Sequence, residues 1–203
     1  MSRRFDFFPQ GGETGGKTRS PIIVLLFAAV IAGQCGSAAA QGYADEDRDW
    51  GVAPVERIRG APYTAPTPSA IPGAKLISTQ QLQVLLGDGR TPKPGGPLLV
   101  DVAAGEGHAT LPGAVWIPGA GRGSSFVDIL QAQLIELLSK LTGGDKARPL
   151  VFFCVNSQCW LSYNAGLRAA AAGYSQVYWY RGGIDAWRAA GFPLAKIEPA
   201  ESR

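Results

Sequence analysis

Two closely spaced cysteines, Cys154 and Cys159, sit in the stretch Val151-Phe-Phe-Cys-Val-Asn-Ser-Gln-Cys-Trp160. The apolar run from Pro149 to Phe153 reads as a buried strand, and Cys154 ends it. Leu161 to Ala172 is Ala-rich, stops at Gly173 and reads as a helix. The cysteines therefore fall on a strand-to-helix loop. Backbone N–H groups at the start of a helix favour an anion, here a thiolate, a persulfide or an oxyanion. A thiol so placed has a physical reason to ionise, which makes Cys154 the candidate nucleophile. Cys159 has three readings: it resolves a persulfide or sulfenate on Cys154, shares a reversible disulfide with it, or joins a metal or cofactor site. A purely structural disulfide, or two inert thiols, is the competing account. Two thiolates underspecify a zinc site, and no Met cluster supports Cu(I), so no metal is expected. No cofactor is implied.

Around the pair, the N–H groups from Val155 onward can hold a terminal sulfur. Asn156, Ser157 and Gln158 are neutral donors that orient an oxyanion or simply make a turn. Trp160 shields the sulfurs or fills the core. Asp101 is expected to accept hydrogen bonds from loop backbone near the site. Arg181, beside Gly182-Gly183, either brings positive charge to the pocket or sits in a surface turn. His108, the single histidine, lies in Gly-Glu-Gly-His and reads as solvent-exposed, so no Cys–His pair is expected. Gly119-Ala-Gly-Arg-Gly123 lacks the Lys-Ser/Thr of a phosphate loop and reads as a flexible lead into a long helix.

The elements that must position these residues begin after an atypical N-terminus. Arg3, Arg4, Lys17 and Arg19 precede the apolar run Pro21 to Gly33, and Ala38-Ala39-Ala40 offers a small-residue cleavage site. Residues 1–40 read as a signal peptide cleaved before Gln41, which takes Cys35 with it. An uncleaved membrane anchor is the alternative. Export implies a periplasmic protein, whose two remaining cysteines face an oxidising compartment. The whole chain of 203 residues has net charge +3. Losing four basic residues against Asp6 and Glu13 leaves the mature chain nearly neutral, so no nucleic-acid partner is expected.

Residues 41–74 form a Pro-rich arm, pinned to the domain by Tyr43, Trp50 and Tyr63 or left as a loose leader. Its run Asp45-Glu-Asp-Arg-Asp49 reads as a solvated face. From 75 onward strands and helices alternate. Lys75–Ile77 is a short strand, and Ser78–Leu86 a helix with Ser78 and Gln81 as a capping pair. Strands follow at Pro97–Val102 and Ala114–Ile117. Ser125–Leu141 is the clearest helix, with apolar residues at three- and four-residue steps and Ser125 and Asp128 as its cap. The cysteine strand and helix come next, then a strand at Gln176–Tyr180 and a short helix at Ile184–Ala190. The pattern implies an α/β fold, a parallel sheet flanked by helices on both faces. Ligands in such sheets bind beyond the carboxyl ends of the strands, where Cys154 lies.

Leu98-Leu-Val-Asp101, Leu111-Pro-Gly-Ala114, Val151-Phe-Phe-Cys154, Gly182-Gly-Ile-Asp-Ala-Trp187 and Gly191-Phe-Pro193 together resemble the rhodanese-like domain. The resemblance implies a rhodanese-like sheet over residues 75–195, a C-terminal tail at 196–203, and sulfur chemistry at Cys154. Tyr63 to Ala74, Leu141-Thr-Gly-Gly-Asp-Lys146 and Cys159-Trp-Leu-Ser-Tyr-Asn-Ala165 further resemble a secreted subgroup marked by a paired-cysteine-tryptophan motif. That subgroup is associated with alcohol catabolism by pyrroloquinoline quinone (PQQ) enzymes. The resemblance implies small sulfur or thiol species, or a periplasmic redox protein, as partners, with a link to a PQQ-dependent dehydrogenase system. The chain departs from the wider family where Asp101 is followed by Val102 and Ala103 rather than by an Arg two positions on. Its loop, Val155 to Gln158, has neither Gly nor a basic residue. Weak thiosulfate chemistry is therefore expected, and a non-catalytic module that binds a partner or cofactor is the alternative.

Overall fold

The computed structural model describes residues 42–87 and 89–200. The expected signal peptide, residues 1–40, lies outside the described residues. Eleven elements follow in order: β1 (Lys75–Ile77), α1 (Thr79–Leu85), β2 (Leu98–Asp101), β3 (Ala109–Thr110), β4 (Val115–Trp116), α2 (Ile129–Thr142), β5 (Leu150–Phe153), α3 (Trp160–Ala171), β6 (Val177–Tyr180), α4 (Gly183–Ala189) and β7 (Ala195–Lys196). Five strands form one sheet in the order β1-β6-β5-β2-β4, and each neighbouring pair is parallel. β5 is the central strand, so Cys154 emerges from the middle of the sheet.

Alternation along β2 and β5 divides the core. Leu98, Val100, Leu150 and Phe152 pack with Leu134 and Leu138 of α2 and with Leu161, Ala165 and Ala169 of α3. Leu99, Val151 and Phe153 face Leu82 of α1 and Ile184 and Trp187 of α4. Two-sided burial is why these strands read as continuous apolar runs. The first helix is as expected, down to the reciprocal Ser78–Gln81 capping box.

Four features differ from the sequence expectation. α2 starts at Ile129, capped by Asp128, whose side chain accepts from the Gln131 N–H. Ser125 accepts instead from the Val127 N–H, in the turn before it. The same Asp128 carboxylate receives both terminal nitrogens of the buried Arg168, at 2.9 and 2.7 Å, so the local turn and the ion pair together fix the helix start. β3 and β7 form a separate antiparallel pair, too short to leave a periodic signal. Gly119–Gly123 is no flexible lead: a Cβ on Gly121 would collide with the Leu161 carbonyl oxygen, so glycine lets the two backbones meet.

The arm takes the pinned one of its two readings, and the fourth difference is a buried residue in its acidic run. Ile58 and Ile71 pack with Trp160, Tyr163, Leu167 and Trp179, forming a third apolar cluster over α3. The Tyr163 hydroxyl donates to the Val55 carbonyl, and the Asn164 amide donates to the Arg59 carbonyl. Within the run expected to be solvated, Glu46 is buried and accepts from both the N–H and the hydroxyl of Thr79 at the start of α1. A carboxylate there satisfies helix N–H groups that have no partner inside the helix. This arm is not a loose leader.

Candidate functional site

The site is the loop from Cys154 to Trp160, held from two directions. On one side, the Ile184 and Asp185 N–H groups at the start of α4 donate to the Cys154 and Val155 carbonyls, at 3.0 and 2.9 Å. This approach explains the Gly-Gly before α4. Gly183 has φ +60°, and a Cβ on it would strike the Cys154 carbonyl oxygen. Asn156 donates its side-chain amide to Asp185. Its carbonyl and side-chain oxygens accept from the N–H groups of Cys159 and Gln158 and close the turn.

On the other side, the arm pairs with the end of the loop. Thr64 bridges Cys159 in antiparallel fashion. The Ala65 N–H donates to the Gln158 carbonyl and the Trp160 N–H to the Tyr63 carbonyl. The Thr67 hydroxyl donates to the Ser157 carbonyl at 2.6 Å. Trp160 donates its indole N–H to the Pro66 carbonyl. The loop is thus built into the fold by backbone pairing.

Cys154 and Cys159 are joined by a disulfide, with Cα atoms 6.2 Å apart. Both cysteines pack into the same apolar cluster, but they differ in exposure. Cys154 is 3% exposed and belongs to the core. Cys159 is partly exposed and lines a cleft of about 280 Å³ with Tyr63, Thr64, Ala104, Val155, Asn156, Gln158 and Leu161. Cys159 is also the N-cap of α3, which has no side-chain cap. The helix-terminal position expected of Cys154 therefore belongs to Cys159. Because the helix begins at Trp160, the dipole argument moves to the second cysteine.

Among the other expected site residues, Val155, Asn156 and Gln158 share this cleft with Cys159. Ser157 is buried, its carbonyl bound to Thr67. Trp160 is buried against the arm, where the Arg59 guanidinium lies 4.5 Å from its ring centroid. Asp101 is fully buried and pairs in register with Phe153. Its carboxylate accepts from the Ala103 N–H, at 2.9 Å, and from the Thr110 hydroxyl, at 2.6 Å. It fixes the turn that carries Ala104 into the cleft without lining the cleft itself.

Arg181 is neither a pocket cation nor a surface turn residue. It is buried, and its guanidinium donates to the Thr67 hydroxyl and to the carbonyls of Thr67, Glu46 and Arg48. Burial pushes its pKa down, while Asp49, Asp47 and Asp45 act in the opposite direction. Its charge anchors the arm, and the cleft beside Cys159 is left with no basic lining residue. His108 is likewise not a solvated loop residue. Its Nε2 lies 2.7 Å from the Asp101 carboxylate, and its ring meets Trp116 edge-on at 4.8 Å.

Sequence reasoning named Tyr63 as a pin for the arm but missed Thr64 and Thr67, and did not identify the cysteine loop as what all three hold. Their only signal was the motif from Tyr63 to Ala74, whose pairing partner a sequence does not specify. Among the described residues no group of His, Cys, Asp and Glu could hold a metal ion. No described helix is long and apolar enough to cross a membrane.

Comparison with protein families matches residues 78–190 to the rhodanese-like domain. The chain belongs to this family. The rhodanese-like domain of this chain is similar in structure to a polysulfide-sulfur transferase homodimer from Wolinella succinogenes, at TM-score 0.41 and 20% identity over 61% of this chain and 79% of that one. It is also similar to a thiosulfate sulfurtransferase from Pseudomonas aeruginosa, at TM-score 0.41 and 19% identity over 64% of this chain and 21% of that one. A Saccharomyces cerevisiae protein matches at TM-score 0.41 and 21% identity, over 58% and 93% of the two chains. No curated protein matches the chain.

Proposed function

We propose that this rhodanese-like protein is a periplasmic thiol–disulfide exchange protein, with Cys159 as the attacked sulfur and Cys154 as its resolving partner. The observation that carries the reading is a disulfide with one buried sulfur and one at a cleft, the latter capping a helix. An incoming thiolate attacks Cys159 Sγ, the bond to Cys154 breaks, and Cys154 leaves as a thiolate that takes up a proton. A second thiolate then attacks the substrate sulfur of the mixed disulfide and releases Cys159. Two thiols become one disulfide, and the protein pair gains two electrons. Helix N–H groups stabilise the departing Cys159 thiolate. The cleft suits a neutral or flexible thiol, because no lining cation selects an anion.

The export signal supports a periplasmic location, and the paired-cysteine-tryptophan resemblance supports an accessory role in PQQ-dependent alcohol oxidation. Family membership favours a second use of the same pair, moved from Cys154, where the resemblance puts it, to the accessible Cys159: the reduced Cys159 thiolate attacks the outer sulfur of a persulfide, whose thiolate leaves, and an acceptor thiolate then takes that sulfur and releases Cys159. Trapping tests the exchange chemistry. The Cys154→Ser protein, treated with oxidised glutathione, should retain one glutathione on Cys159 by intact mass. Wild-type reduced protein should close its own disulfide and keep none. If Cys154→Ser stays unmodified in the native state, Cys159 is not the attacked sulfur and a non-catalytic binding module becomes the better account.

A further inference from the structure

A second cleft, of about 410 Å³, lies on the arm next to the cysteine loop. Its lining combines two chemistries. Val52, Val55 and Pro66 give it apolar surface and Arg57 and Arg59 bring two guanidiniums, while Trp50 and Trp160 add indole surface, each ring with a guanidinium over one face, Arg48 at 4.1 Å and Arg59 at 4.5 Å from the ring centroids. Arg48, Arg168 and Arg188 are each paired with an aspartate. Arg57 and Arg59, like Arg90, Arg122, Arg148 and Arg181, have no carboxylate partner among the described residues, but these two line one cleft. Arg57 is exposed, whereas Arg59 is half-buried. Arg59 is held in place: its N–H donates to Asn164 Oδ1 at 3.0 Å, its carbonyl accepts from Asn164 Nδ2 at 2.8 Å, and its guanidinium stacks over Trp160. One guanidinium is therefore held in place and the other is exposed at the cleft.

We propose that this cleft binds a small planar carboxylate, such as an aromatic or conjugated acid. Guanidinium groups take carboxylates through paired N–H donors and also stack on flat π surfaces. The apolar and indole lining favours a flat hydrocarbon body over a hydrated, flexible chain. The cleft shares Ala65, Pro66 and Trp160 with the segment that fixes the loop after Cys154. The proposal does not depend on thiol chemistry at the cysteines.

The test is a titration of the mature, uniformly ¹⁵N-labelled protein with isophthalate, followed through the indole N–H signals. Trp50→Phe identifies the Trp50 signal. Isophthalate should shift that signal saturably. Arg57→Gln, at an exposed position, should weaken binding about tenfold, the scale of one lost charge-assisted contact. The neutral dicarboxamide and the flexible anion glutarate should bind at least about tenfold more weakly. The double variant Cys154→Ser, Cys159→Ser should bind isophthalate as the wild type does, which separates this site from the exchange reaction. Equal binding of the dicarboxamide or of glutarate would overturn the proposal. So would an unchanged affinity in Arg57→Gln, or the absence of any shift at Trp50.

Discussion

Cys159 and Cys154 differ in the two properties that decide thiol reactivity, access and stabilisation of the thiolate. Cys159 lines a cleft and caps α3, while Cys154 ends a buried strand. The variants Cys154→Ser and Cys159→Ser separate them. Iodoacetamide should alkylate Cys159 in the first at least about tenfold faster than Cys154 in the second at neutral pH, with half-maximal rate at a lower pH. Faster reaction at Cys154 would return the attacking role to the first cysteine. Residue chemistry also bears on sulfur transfer. Arg181 is committed to the arm, so the cleft has no cation for thiosulfate. Thiocyanate production from thiosulfate and cyanide should be barely above background. Robust turnover abolished by Cys159→Ser would place the chain among ordinary sulfurtransferases. The cysteines and their loop were legible because a thiol at a strand end is a local pattern. Which cysteine starts the helix was not, because it turns on one residue of helix boundary.

At the scale of elements, Asp128 links a cap to a buried ion pair. The Arg168 guanidinium, fully buried, holds the Asp128 carboxyl below its ordinary range, and the Gln131 N–H adds to this while burial opposes it. The folded-state value lies below the unfolded one, so the unfolded chain binds protons more readily in acid. The stabilisation is then complete above the ordinary carboxylate range and is lost as pH falls through the depressed value. Asp128→Asn keeps a capping side chain and removes the charge. Its denaturation midpoint should sit below that of the wild type at neutral pH and converge with it in acid. Asp128→Ala should cost about 3 kcal/mol, the lower end for breaking a buried pair, because Ser125, Arg122 and Gln131 still accept from Arg168. Urea unfolding across pH measures both, and parallel curves for Asp128→Asn and wild type would refute the linkage. The helix itself was legible from its apolar spacing, but its first residue was not. Asp128 is fixed by Arg168, forty positions away, and no local window contains that partner. The β3–β7 pair escaped for a related reason, since two-residue strands carry no periodicity.

On the scale of the whole molecule, the arm and the sheet meet at the cysteine loop. α4 holds the first half of that loop and residues 63–67 hold the second. The parallel sheet was readable because strands buried on both faces read as short continuous apolar runs, and these alternate with helix-spaced segments from residue 75 onward. The arm's role was not, because prolines exclude regular ladders without saying what the segment packs against. Glu46 shows this most clearly: its neighbours in sequence are charged and exposed, while its own carboxylate caps α1. A loop built in from both sides can keep its shape when its sulfurs change state, which an exchange centre requires and a structural staple does not. Reduction of the Cys154–Cys159 disulfide in the native protein tests this most directly, with thiols counted against time in dithiothreitol while circular dichroism follows the fold. The account predicts full reduction, two thiols released per chain, with the fold intact and the disulfide re-formed on oxidation. A bond that resists reduction until the protein unfolds would contradict it.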